Sequence, residues 1–307
     1  MEFGIYVPQI VAEYDQLLGL AHTAESTGFT SFWLFDHLYA PGAPGHPALE
    51  GWTTTTALLA NTTTLRVGAL VLCNNFRHPA LLARMATTLD VISHGRLEFG
   101  LGSGSYEQEH HEIGIPWESA KVRSERLGEG LEIITRMFAN DVTTFEGVHY
   151  TVRDLPNLPR PVQRPRPPIH IGGAGPKYTL PLVAKYADVW NVPTYGLKDW
   201  QRLTETLEQE CAKVGRDPAE IRRSHEAVLA IAATEGELAD LEVITRRRFA
   251  PADAFGIDEG YIGTAEMVAG RIREHAAQGI HAFSFMVAAR TAAETMERFA
   301  SDVLPLL

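Results

Sequence analysis

Two stretches of this chain combine residue types that could do chemistry: Asp36-His37 and Gly172-Gly173-Ala174-Gly175-Pro176. A histidine beside a carboxylate can act as acid, base or hydrogen-bond donor near neutral pH. The competing reading is an aspartate that caps a turn, with its histidine neighbour in solvent. The glycine stretch follows an apolar run, Pro168-Ile169-His170-Ile171, and precedes a helical pattern starting near Lys177. A glycine turn between strand end and helix start lets backbone N–H groups face outward, where they can hold a phosphate. A tight turn with no ligand is the plainer alternative, because glycine also serves purely steric ends.

Other motifs carry less. Gly100-Leu101-Gly102-Ser103-Gly104 does not have the GxGxxG spacing of a dinucleotide fingerprint. It reads better as backbone passing close to a flat ring. His110 and His111 are adjacent, so their side chains diverge and no shared metal ion is expected. Cys73 follows an apolar strand and is read as packing, since no Cys-His-Asn arrangement accompanies it. Gly102-Ser103-Gly104 lacks the spacing of a serine nucleophile elbow.

Elements that could gather these residues alternate along the chain. Strands are expected at 3–7, 31–35, 65–72, 96–101, 168–171, 188–192, 225–232 and 281–286. Helices are expected at 14–26, 79–92, 123–138, 177–186, 198–214, 265–278 and 292–304, from their apolar stripes. Near-continuous apolar strands separated by helices indicate a parallel sheet covered by helices. Eight such units in 307 residues predict one (β/α)8 barrel domain spanning 1–307, a TIM barrel with insertions. A doubly wound open sheet is the alternative. Two excursions interrupt the alternation. Residues 140–163 read as a small hairpin turning at Glu146-Gly147 and then a Pro-rich connector. Residues 239–263 read as a partly helical insertion that helps close the site. In such a barrel the site lies where strands end at their C-terminal edge, and Asp36-His37, Asn74-Asn75, Gly102–Gly104, the glycine turn and Asn191 all fall there.

Composition narrows the class. A formal net charge of −11 disfavours nucleic-acid binding, which needs basic surface. No run of about 18 apolar residues predicts a membrane span, and the N-terminus enters a strand with no signal-peptide pattern. The two cysteines, far apart, fit a reducing cytoplasm.

The whole constellation resembles the luciferase-like monooxygenase superfamily of flavin- or deazaflavin-dependent barrel enzymes. The likeness rests on Phe32-Trp33-Leu34-Phe35-Asp36-His37, Leu65-Arg66-Val67-Gly68, Arg77-His78-Pro79 and Gly95-Arg96-Leu97-Glu98-Phe99-Gly100-Leu101-Gly102-Ser103-Gly104. It continues through Arg123, Glu125-Arg126, Phe145-Glu146-Gly147, Ile171-Gly172-Gly173 and Ala187-Asp188. Asp-His after the second strand looks like the coenzyme F420-dependent branch, where FMN-dependent members more often carry Glu-His-His. The resemblance implies catalytic His37 facing the hydride-transfer site, with Asp36 orienting it. It further implies a non-prolyl cis peptide at Leu70-Val71 against the deazaflavin. Gly102, Ser103 and Gly104 would run beside the cofactor, and Gly172, Gly173 and Ala174 would hold its phosphate. Sugar-phosphate-oxidising F420 enzymes place an acid where this chain has Ser105, so glucose 6-phosphate is not the expected substrate. Glu107 and Glu109 sit close but are shifted, and neither is assigned as proton donor.

The expectation is an oxidoreductase moving a hydride to or from a small organic substrate with coenzyme F420. The alternatives are an FMN-dependent monooxygenase using reduced flavin and O2, and a non-catalytic barrel that acts as a binding partner. Trp33, Trp52, Phe76, Tyr106, Tyr195 and Phe285 are the residues available as apolar walls. The family resemblance also implies a homodimer.

Overall fold

The computed structural model of the chain describes residues 1–249 and 257–307. Its strands are β1 (Glu2–Tyr6), β2 (Ser31–Leu34), β3 (Arg66–Ala69), β4 (Leu72–Cys73), β5 (Leu97–Gly102), β6 (Val142–Glu146), β7 (Thr151–Pro156), β8 (Ile169–Gly172), β9 (Val189–Pro193), β10 (Arg222–Ile231), β11 (Tyr261–Gly263) and β12 (Ala282–Met286). Parallel pairing runs β10-β12-β1-β2-β3-β5-β8-β9, and β9 pairs back onto β10. That closes an eight-stranded (β/α)8 barrel, with β11 extending β10 beyond the ring. The expected hairpin is present as the antiparallel pair β6–β7.

The helices are α1 (Tyr14–Ser26), α2 (Gly51–Asn61), α3 (Pro79–Ile92), α4 (Glu107–Glu112), α5 (Ala120–Ala139), α6 (Leu180–Tyr186), α7 (Trp200–Val214), α8 (Glu235–Phe249), α9 (Ala265–Ala277) and α10 (Ala289–Arg298). Local chemistry starts them. In α3, Pro79 occupies the first turn and His78 Nδ1 accepts from the Ala80 N–H at 3.2 Å. Two helices, α2 and α4, fall outside the expected set, and α8 is a helical part of the expected insertion. α2 reads Gly-Trp-Thr-Thr-Thr-Thr, a poor intrinsic helix, and forms because Glu50 accepts from the N–H groups of Trp52 and Thr53. α4 is a short turn-and-a-half after β5. α8 lies largely inside the expected insertion, and the rest of that insertion at 250–256 falls outside the described residues. No described helix is long and apolar enough to cross a membrane.

The main apolar core lies between the strands and the helices, not inside the barrel. Phe3, Ile5, Phe283 and Phe285 point outward into it, and the three phenylalanine rings stack together. Alternate residues point inward. On β10 these are Ser224 and Glu226, beside Ser284 and Met286 of β12. The barrel interior is therefore unusually polar. Its only compact apolar cluster among the described residues comprises Tyr6, Trp33, Phe35, Leu70 and Met286.

Candidate active site

A cavity of about 730 Å³ opens at the C-terminal end of the barrel strands. Every expected site residue lines it: Asp36, His37, Leu70, Val71, Gly102, Ser103, Gly104, Gly172, Gly173 and Ala174. One expected strand, 65–72, breaks into β3 and β4 at the cis peptide Leu70-Val71. Beneath that break the Val71 side chain sits on three glycines. A Cβ at Gly100 would lie 3.1 Å from Val71 Cγ1, at Gly102 2.6 Å from Cγ2, and at Gly172 3.0 Å from Cγ1. The glycines of β5 and β8 thus make room for the Val71 side chain inside the barrel, where Val71 lines the floor of the cavity.

His37 is a quarter exposed and its Nδ1 meets Glu109 Oε2 at 2.8 Å. Glu109 is 1% exposed, and its other oxygen accepts from the Leu38 N–H at 2.7 Å. Both bonds fix the imidazole, with the ring edges of Phe35 and Tyr106 beside it. The expected Asp36–His37 contact is absent. Asp36 points away, accepting two hydrogen bonds from Arg77 at 2.7 and 2.9 Å and one from the Cys73 N–H at 2.8 Å. Burial pushes the Asp36 carboxyl up, and Arg77 and the Cys73 N–H only partly oppose that. Asp36 therefore ties β2 to the turn after β4, and Glu109 orients the histidine. Adjacent side chains leave a strand end in opposite directions, which is why the neighbour in sequence is not the partner in space.

The glycine turn also differs in detail from expectation. The Gly173 N–H is spent on the Asn191 carbonyl at 3.1 Å, and its own carbonyl accepts from Trp190 Nε1 at 2.8 Å. Gly173 has φ +125, which requires glycine. The N–H groups of Ala174 and Gly175 have no backbone partner among the described residues. An anion cradle there would be built from 174 and 175 rather than from 173.

His110 and His111 diverge: His110 is buried with Nδ1 on the Tyr106 carbonyl, and His111 pairs with Glu107 in solvent. Burial pushes the Cys73 thiol up to about 12, which keeps it a packing group. Of the aromatic residues named as walls, Phe76, Tyr106 and Tyr195 line the cavity. Trp33 lies lower in the barrel, while Trp52 and Phe285 belong to the core outside it. Arg248 and Phe249, from the end of α8, reach the cavity rim.

Glu226 was not anticipated. It lines the cavity from β10, and its Oε2 accepts from Asn191 Nδ2 at 3.1 Å. Burial pushes its carboxyl up to about 7, the amide opposing only in part. The available signal was a lone carboxylate at an inward position of a strand whose second half is apolar.

A family model for luciferase-like monooxygenases matches residues 1–252. The chain belongs to the luciferase-like monooxygenase family. An F420-dependent glucose-6-phosphate dehydrogenase of Microbacterium testaceum is 35% identical over 207 residues, 66% of this chain and 60% of that one. An F420-dependent hydroxymycolic acid dehydrogenase of Mycobacterium tuberculosis is 27% identical over 214 residues, 69% of this chain and 58% of that one. The chain spans about three-fifths of the length of these curated relatives. Among solved structures, an F420-dependent secondary alcohol dehydrogenase in complex with an F420–acetone adduct has a TM-score of 0.85 at 20% identity, covering 99% of this chain and 98% of that one. The monooxygenase RslO1 from Streptomyces bottropensis has a TM-score of 0.80 at 25% identity, each chain covered to 99%.

Proposed function

We propose that this luciferase-like barrel is a coenzyme F420-dependent oxidoreductase that moves a hydride to or from a small organic substrate. The observation that carries the reading is the Val71 floor on its three glycines, facing a cavity with His37 on one wall and the Ala174–Gly175 turn on another. These residues fit a flat tricyclic ring with a phosphate. The floor supplies a rigid apolar back, the cavity has room for ring and substrate, and two N–H groups without backbone partners stand at a strand end. The F420-dependent curated relatives support this choice of cofactor.

Bound F420 would supply the two-electron hydride chemistry; the protein supplies alignment and electrostatics. Val71 would back one ring face, so that substrate approaches the other. The Ala174 and Gly175 N–H groups would anchor the phosphate. His37, held at Nδ1 by Glu109, would present Nε2 to the reacting groups and hold or move a proton there. Asp36 acts at one remove, fixing Arg77 and the turn after β4. Phe76, Tyr106 and Tyr195 would exclude water. A soluble cytoplasmic homodimer is part of the same proposal, and its oligomeric state is checked by light scattering.

The second reading is an FMN-dependent monooxygenase, favoured by the likeness to RslO1. Anaerobic incubation separates the two. Under the first, bound F420 loses its 420-nm absorbance with small alcohols as hydride donors and no O2. Product that forms only with reduced FMN and O2 establishes the second instead.

A further inference from the structure

Three carboxylates lie in or against the barrel, and they are not equivalent. Asp36 is clamped by Arg77. Glu98 is clamped by Arg66 and His170. The Glu226 carboxyl is bonded to no cation: its one hydrogen-bond partner among the described residues is the neutral Asn191 amide. We propose that Glu226 is a catalytic acid–base group of this cavity, exchanging a proton with the hydroxyl or carbonyl oxygen of the substrate while hydride moves; the proposal rests on the cofactor reading above.

Geometry presents the group for this. Glu226 Oε2 is held by Asn191 Nδ2, and Asn191 Oδ1 in turn accepts from Ser224 Oγ at 2.9 Å. The amide is thereby fixed with its N–H2 toward the glutamate. One oxygen is anchored, and Oε1 has no partner among the described residues. No hydrogen bond or ion pair joins Glu226 to a cation, although Arg248 of α8 and Arg290 of α10 line the same cavity. Around Glu226, from β9 come Asn191 and Pro193, from β12 Met286, from β1 Tyr6, and from the turn after β9 Tyr195. The two phenols are the titratable groups that feel the Glu226 charge, and burial, then Glu226 itself, pushes both further up, so both stay neutral at neutral pH. A carboxyl kept only for structure gains from a cation, as the other two show. One bonded to no cation in a cavity wall, titrating at about 7, is matched to proton exchange near neutrality.

The step balances. In the oxidative direction the substrate hydroxyl gives its proton to Glu226 Oε1. The adjacent C–H bond breaks, its hydride leaves with both electrons for the oxidised deazaflavin, and a carbonyl forms. Reduction runs the same path backwards, the protonated carboxyl returning its proton to the carbonyl oxygen. His37, on another wall, then serves as a hydrogen-bond donor.

The test compares wild type with Glu226→Gln, an isostere that keeps the acceptor for Asn191. Infrared titration of the cofactor-free protein should show a protonated-carboxyl band that disappears with a midpoint near pH 7 and is missing from the variant. A carboxyl that is already ionised at pH 5 overturns the proposal. Single-turnover reduction of bound F420 by a panel of small secondary alcohols should then fall about 10²-fold in the variant and lose its ionisation near pH 7. F420 affinity should change less than threefold. Equal single-turnover rates with an unchanged pH profile overturn the proposal, as does a wild type that binds F420 but oxidises none of the alcohols. A wild type that binds no F420 overturns the cofactor reading instead, and the infrared midpoint still judges Glu226 by itself.

Discussion

At the mouth of the barrel His37 Nδ1 meets Glu109 at 2.8 Å, and near its other end His170 Nε2 meets Glu98 at 2.5 Å. The two pairs share their chemistry and differ in access. His37 is a quarter exposed to a large cavity, and no cation joins its glutamate. His170 is buried under Trp33, and Arg66 completes a triad around Glu98. Burial alone would push the Glu98 carboxyl up; His170 and Arg66 reverse that and hold it below its ordinary range. A histidine–glutamate pair is therefore a fastener where it is buried with a cation beside it, and a tool where one edge of the ring is left to the cavity.

The comparison predicts opposite phenotypes. His37→Ala should lower turnover by roughly 10²–10³-fold, as loss of a hydrogen-bond donor at the reacting oxygen does, with a melting temperature within a few degrees of wild type. His170→Ala leaves Glu98 buried with Arg66 alone, and should destabilise by about 2–4 kcal/mol, read by urea unfolding. Matching turnover in the two variants would erase the distinction. Gly102→Ala drives a Cβ into Val71 and should weaken F420 binding at least tenfold, at about 1–3 kcal/mol of overpacking. Adding Val71→Ala should return the lost stability but not the affinity, because the floor itself is then altered. Glu109→Gln keeps the shape and frees the imidazole, so turnover should fall about tenfold. A fall as large as that of His37→Ala would make the carboxylate itself a reacting group.

The smallest effects are in pH dependence, and the two ends should again differ in sign. Glu226 has a raised folded-state pKa, so its protonated form favours the folded state. That contribution is whole below about pH 4.3 and is lost as pH rises through about 7. Glu226→Gln should therefore be the more stable protein at pH 8, by on the order of 2 kcal/mol, with the difference fading on acidification. Glu98 has a lowered pKa, so its contribution is present above the ordinary carboxylate range and lost as pH falls. Glu98→Gln should cost stability at pH 7 and progressively less in acid. Denaturant midpoints across pH 4–8 check both.

The architecture was legible because the barrel strands are buried on both faces and read as apolar runs; all eight appear within a few residues of expectation. The break at Leu70-Val71 was legible through family resemblance alone, since nothing in the residue types there signals it. The threonine-rich α2 was not, because its helix depends on the Glu50 cap overriding poor propensity. Partners separated by many residues were equally hidden. His37 and Glu109 are 72 positions apart, and Glu109 reaches the imidazole only because α4 folds back over the second strand end. Asp36, adjacent in sequence, is turned toward Arg77. Glu226 was passed over because the strand was read for its hydrophobic content and not for which face its lone carboxylate occupies.

Fluorescence titration of coenzyme F420 into the purified protein, with FMN as competitor, tests the central claim most directly. The account predicts saturable quenching that excess FMN does not displace and that is weakened in Gly102→Ala. Displacement by FMN, or F420 affinity that ignores the alanine at 102, would contradict it.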